Sequence, residues 1–160
     1  MGLDQYLYAN KYVSRKDFNR HTEDGYATNQ TFNDIVSLLD AESIVDNEWS
    51  GMQVMLPVGY WRKANAIHSW IVDNCADGID ECQRIFVSQD KAIELVSLCK
   101  RVLEDNSLAL ALLPPQSGFF FGSLDIDEYY IWDLQHTIEV FEKLLADPEL
   151  AESIIYQASW

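Results

Sequence analysis

Basic side chains are scarce in this chain, and after Arg101 only Lys143 carries a positive charge. Eleven lysines and arginines stand against 26 aspartates and glutamates, a formal net charge of −15. The imbalance is uneven: residues 1–60 hold nine acids and four bases, 61–100 six and five, and 101–160 eleven and two. Such a surface repels phosphate backbones, so no direct nucleic-acid binding is expected. A protein with a basic surface would instead be steered toward it. Long apolar runs are also missing. None approaches the roughly 20 residues of a bilayer span, and Met1-Gly2-Leu3-Asp4-Gln5 has neither the basic region nor the apolar core of a signal peptide. The expectation is a cytoplasmic protein with no membrane partner. Seven glycines and four prolines, beside 48% hydrophobic residues, predict a folded chain with little disorder.

Cysteine chemistry is sparse. Cys75, Cys82 and Cys99 are odd in number and lack close pairs, unlike a disulfide framework, so three reduced thiols are expected, with Cys99 on a buried helix face. A zinc site joining His68 to Cys75 has no short two-cysteine or two-histidine knuckle to support it. No phosphate-binding loop, dinucleotide fingerprint, zinc-protease motif or calcium loop occurs. Ser117 lacks the preceding glycine of a nucleophile elbow. No cofactor is expected, and enzymatic activity stays an open question.

The 160 residues suffice for a single globular domain, residues 1–160, with a sizeable core. Residues 3–13 alternate partly and are rich in tyrosine, which predicts a half-buried strand. Residues 14–31 are polar and read as a surface loop or the turn of an insertion. A short helix capped by Thr31 or Asn33 follows through Leu39, and Asp46–Gly51 breaks the pattern. Met52–Val58 reads as a strand that Pro57 ends, beside the first. Tyr60, Ala64, Ile67, Ile71 and Cys75 recur at helical spacing and predict one long helix from Tyr60 to about Cys75.

Arg84–Val87 reads as a third strand, and Ser88 as the cap of a helix whose apolar side carries Ile93, Cys99, Val102 and Leu103. Pro114-Pro115 stops any helix. Phe119–Phe121 is expected as a short core strand between Gly118 and Gly122, and Asp125 or Asp127 as the cap of a helix through Leu145. Pro148 opens a short terminal helix toward Trp160. The fold class is α+β: a small antiparallel sheet against three main helices.

Two segments concentrate chemistry. On the expected helix, Trp61, Arg62, Asn65 and His68 put an aromatic, a cation, an amide and an imidazole within two turns. With Gln116, Ser117 and the Gly118 backbone they can hold a small anionic or base-bearing ligand. Arg62 and Lys63 would contact phosphate, and Trp61 or Tyr129 would stack on a ring. The competing reading packs the aromatics as core, satisfies His68 with a carboxylate or carbonyl, and pairs Arg62 with Asp127 or Glu128. Asp133 and His136, three apart, read as an exposed helical pair rather than an acid/base couple or half a metal site.

The opening Met1-Gly2-Leu3-Asp4-Gln5-Tyr6-Leu7-Tyr8, the segment Tyr60–Trp70, and Gln116–Ser123 followed by Asp127-Glu128-Tyr129-Tyr130 together span most of the chain. In these motifs it resembles a family of small uncharacterised proteins of bacteriophages and bacterial genomes. The resemblance implies a phage or prophage setting, hence the host cytoplasm, and no particular reaction. The expected function is that of a non-enzymatic acidic accessory protein that binds, and by doing so inhibits, a host or defence protein with a basic surface. The alternative is a nucleotide or other phosphate-bearing ligand in the Trp61/Arg62/His68 and Gln116/Ser117 region.

Overall fold

A computed structural model of the chain describes residues 2–45 and 49–160, so the Asp46–Glu48 part of the expected pattern break lies outside the described residues. Two compact units emerge, Asn10–Met55 on the one hand and Met1–Ala9 with Leu56–Trp160 on the other.

The smaller unit is built on a hairpin where the sequence suggested a loop. β2 (Lys16–Thr22) and β3 (Gly25–Thr28) pair antiparallel, with a register shift between Asp17 and His21. Asp24-Gly25 is the turn signal that favours this, and Gly25 takes φ +127, open to glycine at little cost. α1 (Gln30–Leu38) starts one turn earlier than expected because Asn29, not Thr31 or Asn33, caps it by accepting from Thr31 N at 3.0 Å. Its Phe32 and Val36 bury against Val13.

The larger unit carries the α+β layer arrangement expected. A four-stranded antiparallel sheet has the order β4-β1-β6-β5, from β1 (Asp4–Ser14), β4 (Gly51–Arg62), β5 (Arg84–Val87) and β6 (Ile154–Ser159). β6 is the strand of this sheet that the sequence does not announce. Only Pro148–Ala151, α6, is helical in the segment assigned to a terminal helix. Beyond it Ile154, Tyr156 and Ala158 alternate inward, a period of two that only a strand presents to one face. The register puts them in rows with their neighbours: Leu7 and Ile85 flank Tyr156, Ala9 and Val87 flank Ile154, and Gln5 lies beside Ala158. That face is the core, and burying it is what holds β6 between two partners.

Over this face lie α2 (Asn65–Cys75), α3 (Gln89–Glu104) and α5 (Glu128–Leu145). Ser88 caps α3 through Lys91 N, as expected, and Ala92, Leu95, Val96, Cys99 and Val102 form its buried stripe, while Ile93 faces out. Burial pushes the Cys99 thiol up to about 12, which leaves it an inert apolar side chain. Asp127 caps α5 by accepting from Tyr129 N and Tyr130 N, both at 3.0 Å. After α3 the chain forms a 3-10 turn, Asn106–Leu108, and the short α4 (Ala109–Leu112). Among the described residues no helix is long and apolar enough to cross a membrane.

Pro57 does not end its strand. β4 sits at the sheet margin, where a missing N–H can face outward, and it continues to Arg62. Gly59 is needed on it for space: a Cβ there would lie 2.7 Å from Val140 Cγ1 on α5 and 2.8 Å from the Trp61 ring. Gly59→Ala should therefore force α5 or the indole to shift and cost roughly 1–3 kcal/mol. Urea denaturation checks this, and a midpoint equal to wild type would contradict the packing.

Candidate functional site

The most consequential departure from the sequence reading is at Tyr60–Arg62. These residues complete β4 and are not the first turn of a helix. The ladder to β1 continues as far as Lys63 N, which donates to Leu3 O at 2.8 Å, so the hydrogen bonds of the strand outcompete helix formation there. Lys63 then takes φ +64 and turns the chain, and α2 begins at Asn65. A lysine in the left-handed region leaves no mark in a sequence pattern. Ala64 supplies no side-chain cap to α2; its own backbone is held by Gln5, which accepts from Ala64 N at 2.9 Å and donates to Ala64 O at 3.1 Å.

Asn65 ties this turn to the Gln116–Ser123 loop. Its Oδ1 accepts from Gln116 N at 3.0 Å, and its Nδ2 donates to Phe121 O at 3.0 Å and Ser123 O at 2.8 Å. The loop is irregular, not a strand: Phe121 N donates to Gly118 O, and a Cβ on Gly118 would strike the Phe121 ring at 2.5 Å. The three phenylalanines part company, since Phe121 is buried, Phe120 half-buried, and Phe119 95% exposed. Only Phe121 belongs to the core, because the turn leaves Phe119 beyond anything that can cover it.

Between the end of β4, the Lys63 turn, this loop and the first turns of α5 opens a cavity of about 470 Å³. Tyr129 and Trp132, both exposed, supply its open aromatic walls, whereas Trp61, 1% exposed, backs it from the core and the Tyr60 ring lies against Tyr6 with its hydroxyl on Asp4. The walls are pre-set. Trp61 Nε1 donates to Thr137 Oγ1 at 3.0 Å, and the Trp132 ring stacks on His136 at 4.9 Å with 12° between planes. His136 Nε2 in turn donates to Tyr60 O at 3.0 Å. Thus His136 is neither partnered with Asp133 nor simply exposed; it ties α5 to β4.

Asp133 lines the same cavity, half-buried, and its carboxylate has no hydrogen-bond or ion-pair partner among the described residues. Desolvation by burial, with a smaller contribution from Asp127, pushes it from an ordinary 3.8 up to about 7. The other two carboxylates of the lining have partners: Asp127 caps α5, and Asp125 Oδ2 accepts from the Ser123 hydroxyl at 2.9 Å. Arg62, also in the lining, donates to Asp4 at 3.1 Å, and not to Asp127 or Glu128.

Of the residues expected to form a site, the structure gathers Trp61, Arg62, Asn65 and Tyr129 around the cavity. His68, Gln116, Ser117 and Gly118 lie outside its lining. His68 is fully buried, with Nε2 3.0 Å from Asp80 Oδ2 and Nδ1 2.8 Å from the Tyr156 hydroxyl. Facing a carboxylate, Nε2 donates, and Nδ1 is left to the Tyr156 hydroxyl. This closes His68 to ligands and to a zinc shared with Cys75. Among the described residues no group of three or more His, Cys, Asp or Glu side chains is placed to hold a metal ion. Sequence reasoning passed over Tyr60, Trp132 and the cavity role of Asp133. The signal was present in the spacing of Tyr129, Trp132 and Asp133, one turn of α5 beside the core stripe of Tyr130, Leu134 and Thr137.

Two expectations follow from these contacts. Asn65→Ala strands backbone groups of Gln116, Phe121 and Ser123, and should lower stability by about 2–3 kcal/mol in urea denaturation; a loss below about 1 kcal/mol would deny the clamp its role. For Asp133, a folded-state value above the unfolded one means that the folded protein holds the proton more tightly. Its contribution is fully present below 3.8 and is lost as pH rises through about 7. Asp133→Asn should therefore remove a fall in stability across that window and exceed wild type above pH 7. Thermal unfolding of both proteins against pH reads the difference, and superimposable curves would contradict it.

No protein family, curated protein or solved structure matches this chain, so the reading of its function rests on the fold and the cavity described above.

Proposed function

We propose that the protein is a non-enzymatic acidic accessory protein, of the phage type its motifs resemble, that binds a host or defence protein bearing a basic surface and thereby inhibits it. The observation that carries this reading is the open aromatic cleft set in the acidic part of the chain. Tyr129 and Trp132 are 72% and 55% exposed, and Phe119 projects from the adjoining loop. Exposed aromatics grouped beside a cleft are what interface anchors look like before the partner arrives.

Charge supplies the complement. Residues 101–160 hold eleven acids and two bases, and a field of that sign accelerates encounter with basic surfaces while rejecting nucleic acid and acidic proteins. A phosphate-bearing ligand is the weaker reading. Of the lining charges, Arg62 is neutralised by Asp4, leaving Lys63 against Asp125, Asp127 and Asp133.

Affinity capture from a bacterial lysate tests the proposal. Binding should be strong at about 0.01 M salt and fall steeply by about 0.15 M, as the screening length shrinks from about 30 to about 8 Å. The captured protein should be basic, and Tyr129→Ala should reduce its yield several-fold without lowering the melting temperature. A salt-insensitive set of captured proteins, unchanged by Tyr129→Ala, would overturn the reading.

A further inference from the structure

We infer that the cleft whose open walls are Tyr129 and Trp132 is a receptor for one arginine side chain of the partner, with Asp133 as the carboxylate that pairs with its guanidinium. The inference rests on the partner reading above and specifies what that partner must present.

Among the described residues, Asp133 is the one carboxylate of the lining with no partner, since Asp127 is committed to the α5 cap and Asp125 to Ser123. A half-buried anion without a donor is unfavourable, and the group relieves this by holding a proton. A cation delivered into the cavity would relieve it instead.

The walls suit a cation. Aromatic faces attract guanidinium and ammonium groups through the ring quadrupole, and more strongly where water is excluded. Trp132 is held in place by its stack on His136, so little ordering is needed on binding. A volume of about 470 Å³ admits a long side chain with part of its backbone. Arginine fits better than lysine here, because its planar group stacks on rings while its donors meet both carboxylate oxygens.

The competing charges can be placed. Arg62, at the end of β4, donates to Asp4, and Lys63, in the turn, lies over Gly122 with its methylenes 3.1–3.6 Å from where a Cβ would be. Asp127 and Asp125 approach from the start of α5 and the loop before it, and the phenols of Tyr60, Tyr129 and Tyr130 complete the titratable groups of the lining. With Arg62 paired, Lys63 faces two ionised carboxylates, Asp125 and Asp127, so the lining favours an incoming positive charge even before Asp133 gives up its proton.

The test uses the full chain and a capped Gly-Gly-Arg-Gly-Gly peptide, with norleucine and lysine in place of arginine as controls, read by tryptophan fluorescence and by chemical-shift changes of the indole N–H groups. The arginine peptide should bind with millimolar affinity or better, about −4 kcal/mol, the norleucine peptide should not, and lysine should bind more weakly than arginine. Asp133→Asn, which removes an unpaired charge and so keeps the fold, should weaken arginine binding roughly tenfold. Wild-type affinity should rise between pH 6 and pH 8, and the variant's should not. No arginine binding at millimolar peptide, equal binding of norleucine, tighter binding of lysine, or an unaffected Asp133→Asn would each overturn the site. Capture of a basic protein that persists in Asp133→Asn would overturn the arginine site and leave the partner reading standing. Arginine-peptide binding without any captured basic protein would support the site and count against that reading.

Discussion

Three hydrogen bonds from one buried amide fix the geometry on which the cleft depends. Asn65 opens α2, and both ends of its side chain reach the Gln116–Ser123 loop, which arrives from more than fifty residues away in sequence. A buried amide that meets three backbone groups in fixed directions determines position as well as energy, because no rotation of the loop satisfies all of them together. The strand before Asn65 is set by the sheet, the helix after it by the core, and the loop by Asn65 itself. The Lys63 turn is where these constraints meet. Its left-handed backbone is held between the β1 ladder on one side and the Gln5–Ala64 pair of hydrogen bonds on the other.

The division of labour among polar residues follows from access. His68 looks like chemistry in a sequence, yet Asp80 and Tyr156 take both of its nitrogens and Phe121 meets its face edge-on at 5.2 Å. Asp80 also accepts from Trp160 Nε1, so the end of the chain is tied to the same network. A satisfied network of this kind specifies how β6, α2 and the loop after α2 come together, with His68 and Tyr156 buried inside it and only Asp80 and Trp160 reaching solvent. Asp133 is its opposite. It is reachable through the cleft, has no partner, and sits among aromatic rings, which is why its proton affinity is displaced.

Legibility in the sequence followed locality. The caps at Ser88 and Asp127, the strands at Asp4–Ser14 and Arg84–Val87 and the helices behind them were readable because a side chain within three residues, or a simple period, decides each. What was hidden depended on distant partners. The strand identity of Tyr60–Arg62 comes from pairing with β1, which overrode a helical spacing that truly belonged to Ala64, Ile67, Ile71 and Cys75. Pro57 was harmless only because β4 lies at a margin. The hairpin at Lys16–Thr28 and the strand at Ile154–Ser159 did leave signals, Asp24-Gly25 in one and alternating Ile154, Tyr156 and Ala158 in the other, and both were outweighed by flanking polar or helix-starting residues. Site residues divided the same way: residue type pointed to Trp61, Arg62 and Tyr129, whereas the distinction between Asp133 and His68 required burial and hydrogen bonding.

The Gln116–Ser123 loop shows how one segment can serve both fold and surface. Gly118 lies under the Phe121 ring, and Gly122, at φ +93, lets the Lys63 side chain lie across it. Between them Phe121 turns inward and Phe119 outward, so an apolar run that appears to demand burial is divided by a turn. The inward ring packs on His68, and the outward one meets only Phe120, edge-on at 4.8 Å. A single ring at nearly full exposure is tolerated, because isolated apolar side chains are ordinary at a protein surface and the core is already closed by Phe121. The loop thus completes the fold through one phenylalanine and adds only surface with another.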